Sequence, residues 1–314
     1  MLSEVEIVGT EAPLAKRGDG PDFICIGAQK AGTQWLYDQL AHHPQFWMPP
    51  VKELHVFDRA RKSVVRARRL ARRVEHHLDR VNAQRAASHA RPLDDRDVRF
   101  VGRYARLLKG GGEDKLAAPV LDRYAQLFAD KGGKKSGDVT PAYSRLGDGA
   151  VRKVTARFPE AKVVFLAREP VERLWSAYGM AARKAERLGG RAVSPAGALE
   201  FARRKSVATR SCPSEIVTRW QKHAGAGQFA WFFFDDLRAD PAGLRSRILA
   251  FLGADPDLPS GDLEPGFNRK GGAAKIALSD EIRDVLARHF ADEIRRAADV
   301  LGGAALEWRR KYGL

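Results

Sequence analysis

The feature that most constrains the fold is an apolar run, a glycine loop and an amphipathic run that follow one another near the N-terminus. Residues 23–26 (FICI) are apolar and bounded by turn-forming residues, which predicts a buried strand. Residues 27–33 (GAQKAGT) place two glycines around a lysine, and residues 34–40 (QWLYDQL) suit a helix. A helix that begins there directs unpaired N–H groups and its positive dipole end toward an anion. The pattern therefore predicts an α/β fold with a phosphate-binding loop.

The loop nearly matches the motif that binds nucleoside triphosphates, in which two glycines five residues apart are followed by Lys and then Ser or Thr. Gly27 and Gly32 keep that spacing, but Lys30 lies inside the loop and Thr33 follows the second glycine directly. The hydroxyl group that would hold Mg²⁺ is therefore not in its usual place. We expect a different phosphoanhydride to bind, and a nucleotide-dependent kinase with a degenerate loop is the first alternative.

A second anion site is predicted further along the chain. Residues 162–167 (KVVFLA) indicate a buried strand that leads directly into Arg168, and Pro170 suits the first turn of a helix. Open α/β sheets bind their ligands at the carboxyl ends of the strands, which is where Arg168 is expected. Ser176 follows about two helical turns later, so it can face the same anion as the arginine.

These two patterns, in this order, resemble the cofactor site of sulfotransferases that use 3′-phosphoadenosine 5′-phosphosulfate (PAPS), above all the bacterial and heparan-sulfate-type carbohydrate enzymes. The resemblance covers residues 22–58 and 135–275. It implies a three-layer, P-loop-like α/β domain with a central parallel sheet flanked by helices. It also implies transfer of a sulfuryl group from PAPS to an acceptor hydroxyl or amine, with adenosine 3′,5′-bisphosphate (PAP) as product and no metal. Gln34 departs from the family pattern, which usually has a second threonine there.

The resemblance assigns particular residues to the PAPS site. The glycine loop would bind the 5′-phosphosulfate, a serine and an arginine would bind the 3′-phosphate, and a late basic loop would fold over the nucleotide. The residues so assigned are Lys30, Ala31, Gly32, Thr33, Gln34, Trp35, Arg168, Ser176, Arg269, Lys270 and Gly271. For the last three, an ordinary linker is the alternative, because glycine and charge also make linkers.

Residues 52–58 (KELHVFD) resemble the segment in which carbohydrate sulfotransferases carry their catalytic base. The resemblance assigns that role to Glu53, while Lys30 would neutralise charge on the leaving oxygen. His55 is the alternative base, because an imidazole needs little tuning to work near neutral pH. A surface turn with a solvated Lys–Glu pair is the structural alternative. The residues expected to contact the acceptor are Lys52, His55, Thr140 and Tyr143, although a turn held by Pro141 also explains the last two.

The 314 residues suit one domain at 22–314 after an N-terminal arm at 1–21, with a basic helical insertion at about 59–109. The net charge of +16 is concentrated in that insertion, where 16 Lys and Arg stand against 5 Asp and Glu. We expect the insertion to bind or steer an anionic acceptor rather than nucleic acid. The alternatives are a solvated helical face, or a polyanion-binding protein that keeps the glycine loop only as structure.

The remaining expectations are coarser. The two cysteines are far apart, no apolar run is long enough to span a membrane, and the N-terminus lacks a secretion signal, which together predict a cytoplasmic protein without a transmembrane segment. Because Golgi members of the family it resembles carry a membrane anchor, the resemblance further implies a bacterial-type enzyme. Residues 183–213 predict an irregular connection, and residues 229–234 (FAWFFF) a buried core strand. The acceptor, whether a carbohydrate, a lipid-linked glycan or a secondary metabolite, and the oligomeric state stay open.

Overall fold

The structure is a computed structural model that describes residues 20–58, 61–87, 91–109, 114–186, 194–261, 263–267 and 276–314. Its centre is a parallel sheet with the strand order β2-β1-β3-β4. The strands are β1 (Phe23–Gly27), β2 (Gly137–Val139), β3 (Lys162–Ala167) and β4 (Phe229–Phe233). Helices cover the sheet, so the predicted α/β architecture with a central parallel sheet is confirmed.

Burial along the strands follows their place in the sheet. The two central strands, β1 and β3, are buried almost throughout, as expected for apolar, β-branched segments covered on both faces. Strand β4 differs from the prediction, because all five of its residues are only half-buried. It lies at the edge of the described sheet, where one side has no neighbouring strand.

Thirteen α-helices are found in the described residues, and most of them pack against the sheet or against one another. In chain order they are α1 (Thr33–His42), α2 (Arg61–Ala86), α3 (Asp95–Lys109), α4 (Ala118–Ala125), α5 (Asp148–Arg157), α6 (Pro170–Glu186), α7 (Pro195–Arg203), α8 (Lys205–Ala208), α9 (Pro213–Gln221), α10 (Phe234–Ala239), α11 (Pro241–Phe251), α12 (Asp280–Leu301) and α13 (Ala304–Lys311). Two 3₁₀ segments, Gln126–Lys131 and Pro141–Arg145, complete the framework. None of the helices in the described ranges combines the length and apolar composition needed to cross a bilayer.

The expectation of an irregular connection at 183–213 is wrong for the residues that the structure describes. Helix α6 continues to Glu186, and α7, α8 and the start of α9 follow from residue 195 onward. The start of α7 is fixed by its first residues. Ser194 accepts a hydrogen bond from the N–H of Gly197, and Pro195 occupies the first helical position. Such a cap starts a helix even where the apolar pattern is weak.

The described part of the basic insertion forms two helices, α2 and α3. Pro92 lies between α2 and α3, and α3 begins with reciprocal hydrogen bonds in which the N–H groups of Asp94 and Asp97 each donate to the other's carboxylate. The buried side chains between these helices form a small apolar cluster of Val74, Val81 and Leu93, apart from the main core. Phe100 and Tyr104 of α3 reach into the main core, so α3 connects the insertion to the sheet domain.

Candidate active site

The glycine loop turns the chain from β1 into α1 at the carboxyl end of the sheet. Gly27 (φ 147°) and Gly32 (φ 89°) both have backbone conformations that favour glycine, and Lys30 between them also has positive φ (75°). Gly32 has a second reason to be glycine, because a Cβ atom there would lie 2.7 Å from Cδ2 of Leu237 in α10. The loop is therefore tightly shaped, with α10 packed against its outer side.

Helix α1 supplies the donors of this loop. Because α1 begins at Thr33, the N–H groups of its first turn have no acceptor within the helix, and they lie at the positive end of its dipole. The N–H of Ala31, by contrast, already donates to the carbonyl oxygen of Ala28 at 3.2 Å. The Gln34 side chain donates to Asp38, and the Trp35 indole donates to the carbonyl oxygen of Pro265 at 2.6 Å. The Gln34 and Trp35 side chains therefore support the loop. The main-chain N–H groups at the start of α1 are the candidate donors to an anion.

Arg168 lies at the end of β3 and reaches back to the glycine loop. Its Nη1 atom donates to the carbonyl oxygen of Lys30 at 2.6 Å, and its guanidinium stacks on the ring of Phe234 with 4.2 Å between Cζ and the ring centroid. The side chain is only 11% exposed. Among the described residues, its buried Nε has no hydrogen-bond partner. Burial, together with the nearby charge of Arg238, lowers the Arg168 pKa. A bound anion would oppose both effects.

An acidic side chain and two further basic side chains lie around Arg168. Glu172 lies 3.4 Å from Nη2 of Arg168, 2.7 Å from Arg238 and 3.1 Å from Lys311. Burial alone would raise the Glu172 pKa, but the hydrogen bond and charge of Arg238, with those of Lys311, lower it to about 2. Glu172 is thus an ionised partner shared by three cations.

A further arginine lies buried on α6 behind Arg168. Arg173 is 1% exposed, and its guanidinium donates to the hydroxyl of Ser211 from Nε at 3.2 Å and from Nη2. In the part of the chain that the structure describes, no carboxylate lies within ion-pair distance of it. Burial and the charges of Arg210 and Arg168 lower its pKa to about 9. Ser176, the predicted partner of Arg168, is half-buried one turn further along α6.

The segment after α1 brings four charged side chains into one row beside the glycine loop. Lys52 Nζ lies 3.4 Å from the Thr33 hydroxyl and 3.1 Å from Oε1 of Glu53. Oε2 of Glu53 lies 3.5 Å from Nε2 of His55, whose Nδ1 is 2.9 Å from both carboxylate oxygens of Asp58. The Glu53 side chain is 40% exposed, so it can be reached from solvent while its neighbours hold it.

The two candidate bases differ in their ionisation. Burial would raise the Glu53 pKa, but the hydrogen bond from His55 and the charge of Lys52 lower it to about 2. Burial would lower the His55 pKa, but hydrogen bonds to Asp58 and Glu53 raise it to about 9. At neutral pH Glu53 is therefore an ionised carboxylate and His55 an imidazolium without a free lone pair. This arrangement favours Glu53 over His55 as the group that accepts a proton.

Thr140 and Tyr143 do not lie where the sequence prediction placed them. Both are fully buried, and both hydroxyl groups donate to Asp138, at 2.6 Å from Thr140 and 2.8 Å from Tyr143. The expectation that they offer donors to an acceptor is therefore corrected. The cause is the buried carboxylate of Asp138, which precedes both residues in the chain and had been given no role.

Arg269, Lys270 and Gly271 lie outside the described residues, so their predicted role stays a prediction. The described chain on either side of them is attached to the two helices of the site. On one side, the carbonyl oxygens of Glu264 and Pro265 accept hydrogen bonds from Gln39 and Trp35 of α1. On the other, the carbonyl oxygen of Ile276 accepts from Trp175 of α6 at 2.8 Å.

Several contributors to this site were missed by the sequence analysis. Phe234 was assigned to the core, yet it stacks on Arg168. This is because β4 runs parallel to β3, so both strands end at the same, carboxyl end of the sheet. Glu172 was detectable, since it lies four residues after Arg168 at the start of a helix. Arg238 and Lys311 come from remote elements and left no local signal. Across the described residues, no group of three or more His, Cys, Asp or Glu is arranged to hold a metal ion.

Fold and site together define a P-loop-like α/β protein with a glycine loop and a buried arginine at the carboxyl ends of neighbouring strands. A family model described as "Sulfotransferase family" matches residues 21–257, and the chain belongs to this family. Carbohydrate sulfotransferase 15 of Rattus norvegicus is 31% identical over 166 residues, which are 50% of this chain and 27% of that protein. The Homo sapiens protein of that name is 28% identical over 173 residues, again covering 27% of its length.

A solved structure has the same fold. The crystal structure of a sulfotransferase from Alicyclobacillus acidocaldarius aligns over 92% of this chain and 99% of its own, with a TM-score of 0.55 and 20% identity. At that identity the likeness concerns the fold alone.

Proposed function

We propose that this protein transfers a sulfuryl group from PAPS to a hydroxyl or amine of an acceptor and releases PAP. The observation that carries the proposal is the contact between Arg168 and the Lys30 carbonyl oxygen. It joins the two proposed anion sites, the glycine loop and Arg168, at the carboxyl end of the sheet. PAPS carries anionic groups at both its 5′ and 3′ positions, so two such sites suit it. Membership of the sulfotransferase family supports the same donor.

The residues present fit this donor. The first-turn N–H groups of α1 and the Lys30 side chain would hold the 5′-phosphosulfate. Arg168 and Ser176 would hold the 3′-phosphate, for which the buried, unpartnered Nε of Arg168 is a suitable donor. The glycine at position 32 lets the loop pack closely against α10, where a Cβ atom would lie 2.7 Å from Leu237.

The protein's own side chains would supply the acid–base chemistry. PAPS, when bound, supplies the activated sulfuryl group. Glu53 is ionised and partly exposed, and it would accept the proton of the acceptor. Lys52 and His55 hold the two oxygens of Glu53 in place, and Asp58 holds His55 from behind. Lys30 would neutralise negative charge near the loop, where preorganised cations are most effective.

We propose that the acceptor is an anionic small molecule or glycan and that the basic insertion helps to bind it. Helix α2 carries a cavity of about 360 Å³ lined by Arg73, His77, Arg80, Val81 and Gln84. The cavity lies at a kink, where His77 leaves helical geometry (φ −146°, ψ 46°). Two arginines at its wall make it suited to a carboxylate or sulfate group. The cytoplasmic location and bacterial type expected from the sequence stay predictions.

The kinase alternative has a specific structural requirement, a carboxylate at the end of the neighbouring strand to hold Mg²⁺. Strand β3 leads into Arg168 at that place. The proposal is tested by incubating the protein with sulfur-labelled PAPS and a panel of hydroxyl- and amine-bearing acceptors. Label should move from donor to acceptor, and ATP should not replace PAPS. Phosphoryl transfer from ATP, or salt-sensitive polyanion binding without any transfer, would overturn it.

A further inference from the structure

The segment that carries Glu53 is held in an unusual backbone conformation. Glu53 (φ 65°) and His55 (φ 54°) both lie in the left-handed region, although neither is glycine. Each such residue costs free energy and persists only where the surroundings fix it. Two of them in three residues therefore require firm anchors on the intervening main chain.

The anchors come from two buried tyrosines. The carbonyl oxygen of Leu54 accepts a hydrogen bond from the Tyr104 hydroxyl at 2.6 Å. The N–H of Val56 donates to the Tyr143 hydroxyl at 3.0 Å. Every main-chain group named here lies between or directly after the two left-handed residues.

Asp138, at the centre of β2, holds the Tyr143 anchor. It is 1% exposed, and its carboxylate accepts hydrogen bonds from Thr140 (2.6 Å), Tyr143 (2.8 Å) and Tyr124 (3.3 Å). Burial raises its pKa to about 6, although these donors and the charge of His55 act in the opposite direction. A carboxylate with this many donors is a strong, directional anchor.

We propose that Asp138 is a positioning residue for the transfer reaction: through the Tyr143 hydroxyl, which accepts from the Val56 N–H, it fixes the turn that aims Glu53 and His55. The inference rests on the proposed function, in which Glu53 is the base. It assigns Asp138 and Tyr143 no contact with the acceptor, in contrast to the role first expected for Tyr143. A small displacement of a base is enough to reduce turnover strongly.

Two tyrosines provide a matched pair for the test. Tyr143 and Tyr124 are both fully buried and both donate to Oδ2 of Asp138, but only Tyr143 also accepts from the Val56 N–H. Tyr143→Phe should lower kcat by about 10- to 100-fold, as expected for a misplaced catalytic group, while Tyr124→Phe should change it less than about 2-fold. Asp138→Asn should also lower kcat, because its amide leaves only one oxygen to accept the three hydroxyl groups that the carboxylate serves.

Three further readouts separate positioning from loss of structure. The PAP affinity of Tyr143→Phe, measured by calorimetry, should match that of the parent protein. The acid limb of its kcat profile should move to higher pH, because a looser turn weakens the contacts that keep the Glu53 pKa low. In a Glu53→Gln background, Tyr143→Phe should cause no further loss of kcat, since it acts through Glu53.

Equal kcat values for Tyr143→Phe and Tyr124→Phe would overturn the inference, as would parallel losses of kcat and PAP affinity in Tyr143→Phe and Asp138→Asn. Absence of sulfuryl transfer from PAPS by the parent protein would instead contradict the proposed function, so the two failures are distinguishable.

Discussion

Arg168 donates a hydrogen bond from Nη1 to the main-chain oxygen of Lys30 at 2.6 Å, across 138 positions of sequence. The arginine proposed for the 3′-phosphate therefore also holds the loop proposed for the 5′-phosphosulfate. One contact therefore links the two proposed anion sites. It connects the carboxyl ends of β1 and β3, which are neighbours in the sheet.

Glu53→Gln tests the proposed base. Glutamine keeps the size of the side chain but cannot accept a proton, so turnover should fall by at least about 100-fold, within the usual contribution of general base catalysis. PAP affinity should stay nearly unchanged. His55→Asn should cost less, because it removes a group that orients Glu53 rather than the proton acceptor. Steady-state kinetics with labelled PAPS measures both variants, and a fully active Glu53→Gln with an inactive His55→Asn would transfer the role to the histidine.

The row of charges at residues 52–58 predicts a pH dependence of stability. The Glu53 pKa is lowered from 4.5 to about 2, so its contribution is complete above 4.5 and is lost as the pH falls through about 2. The His55 pKa is raised from 6.5 to about 9, so its contribution is complete below 6.5 and is lost as the pH rises through about 9. Urea unfolding should therefore show the largest stability difference between the parent protein and His55→Asn between pH 4.5 and 6.5. A difference that stays constant up to pH 10 would contradict the assigned ion pairs.

Gly32→Ala tests the shape of the loop. The substitution introduces a Cβ atom at φ 89°, 2.7 Å from Leu237, so we expect a loss of about 1–2 kcal/mol of stability and weaker PAP binding. Gly149→Ala is the matched control, because it lies in α5 with nothing within 4 Å of the new Cβ. The control should be neutral or stabilising by up to about 1 kcal/mol. Thermal unfolding and calorimetry measure the pair, and similar results for both would show that the loop tolerates a side chain.

Charge reversal at the α2 cavity tests the proposed acceptor site. Arg73→Glu with Arg80→Glu should raise the KM for an anionic acceptor, more at low salt than at high salt, and leave PAP affinity unchanged. Arg295→Glu with Arg310→Glu, at exposed positions of α12 and α13, is the control for net charge. If the two double variants shift the acceptor KM equally, the insertion does not bind the acceptor and is only a solvated helical face.

The parts of the fold and site that could be predicted from sequence are those with local signals. The strand, glycine loop and helix around Lys30 were recognisable, and so was the place of Arg168 at the end of a strand, because residue type and spacing carry that information. The partners of Arg168 were not: Phe234 and Lys311 reach it only through the packing of distant elements. Tyr143 was assigned to the acceptor because its segment resembles the one with which the family lines the acceptor pocket. The structure directs its hydroxyl inward, to Asp138.

Comparing PAP with adenosine 5′-monophosphate by calorimetry tests the central claim most directly. A charge-assisted contact is worth on the order of 2 kcal/mol, so PAP should bind at least about 30-fold more tightly. Arg168→Ala should remove most of that preference, whereas Arg152→Ala, at an exposed position on α5, should leave it intact. Equal affinity of the parent protein for the two nucleotides would contradict a 3′-phosphate site at Arg168, and with it the proposed use of PAPS.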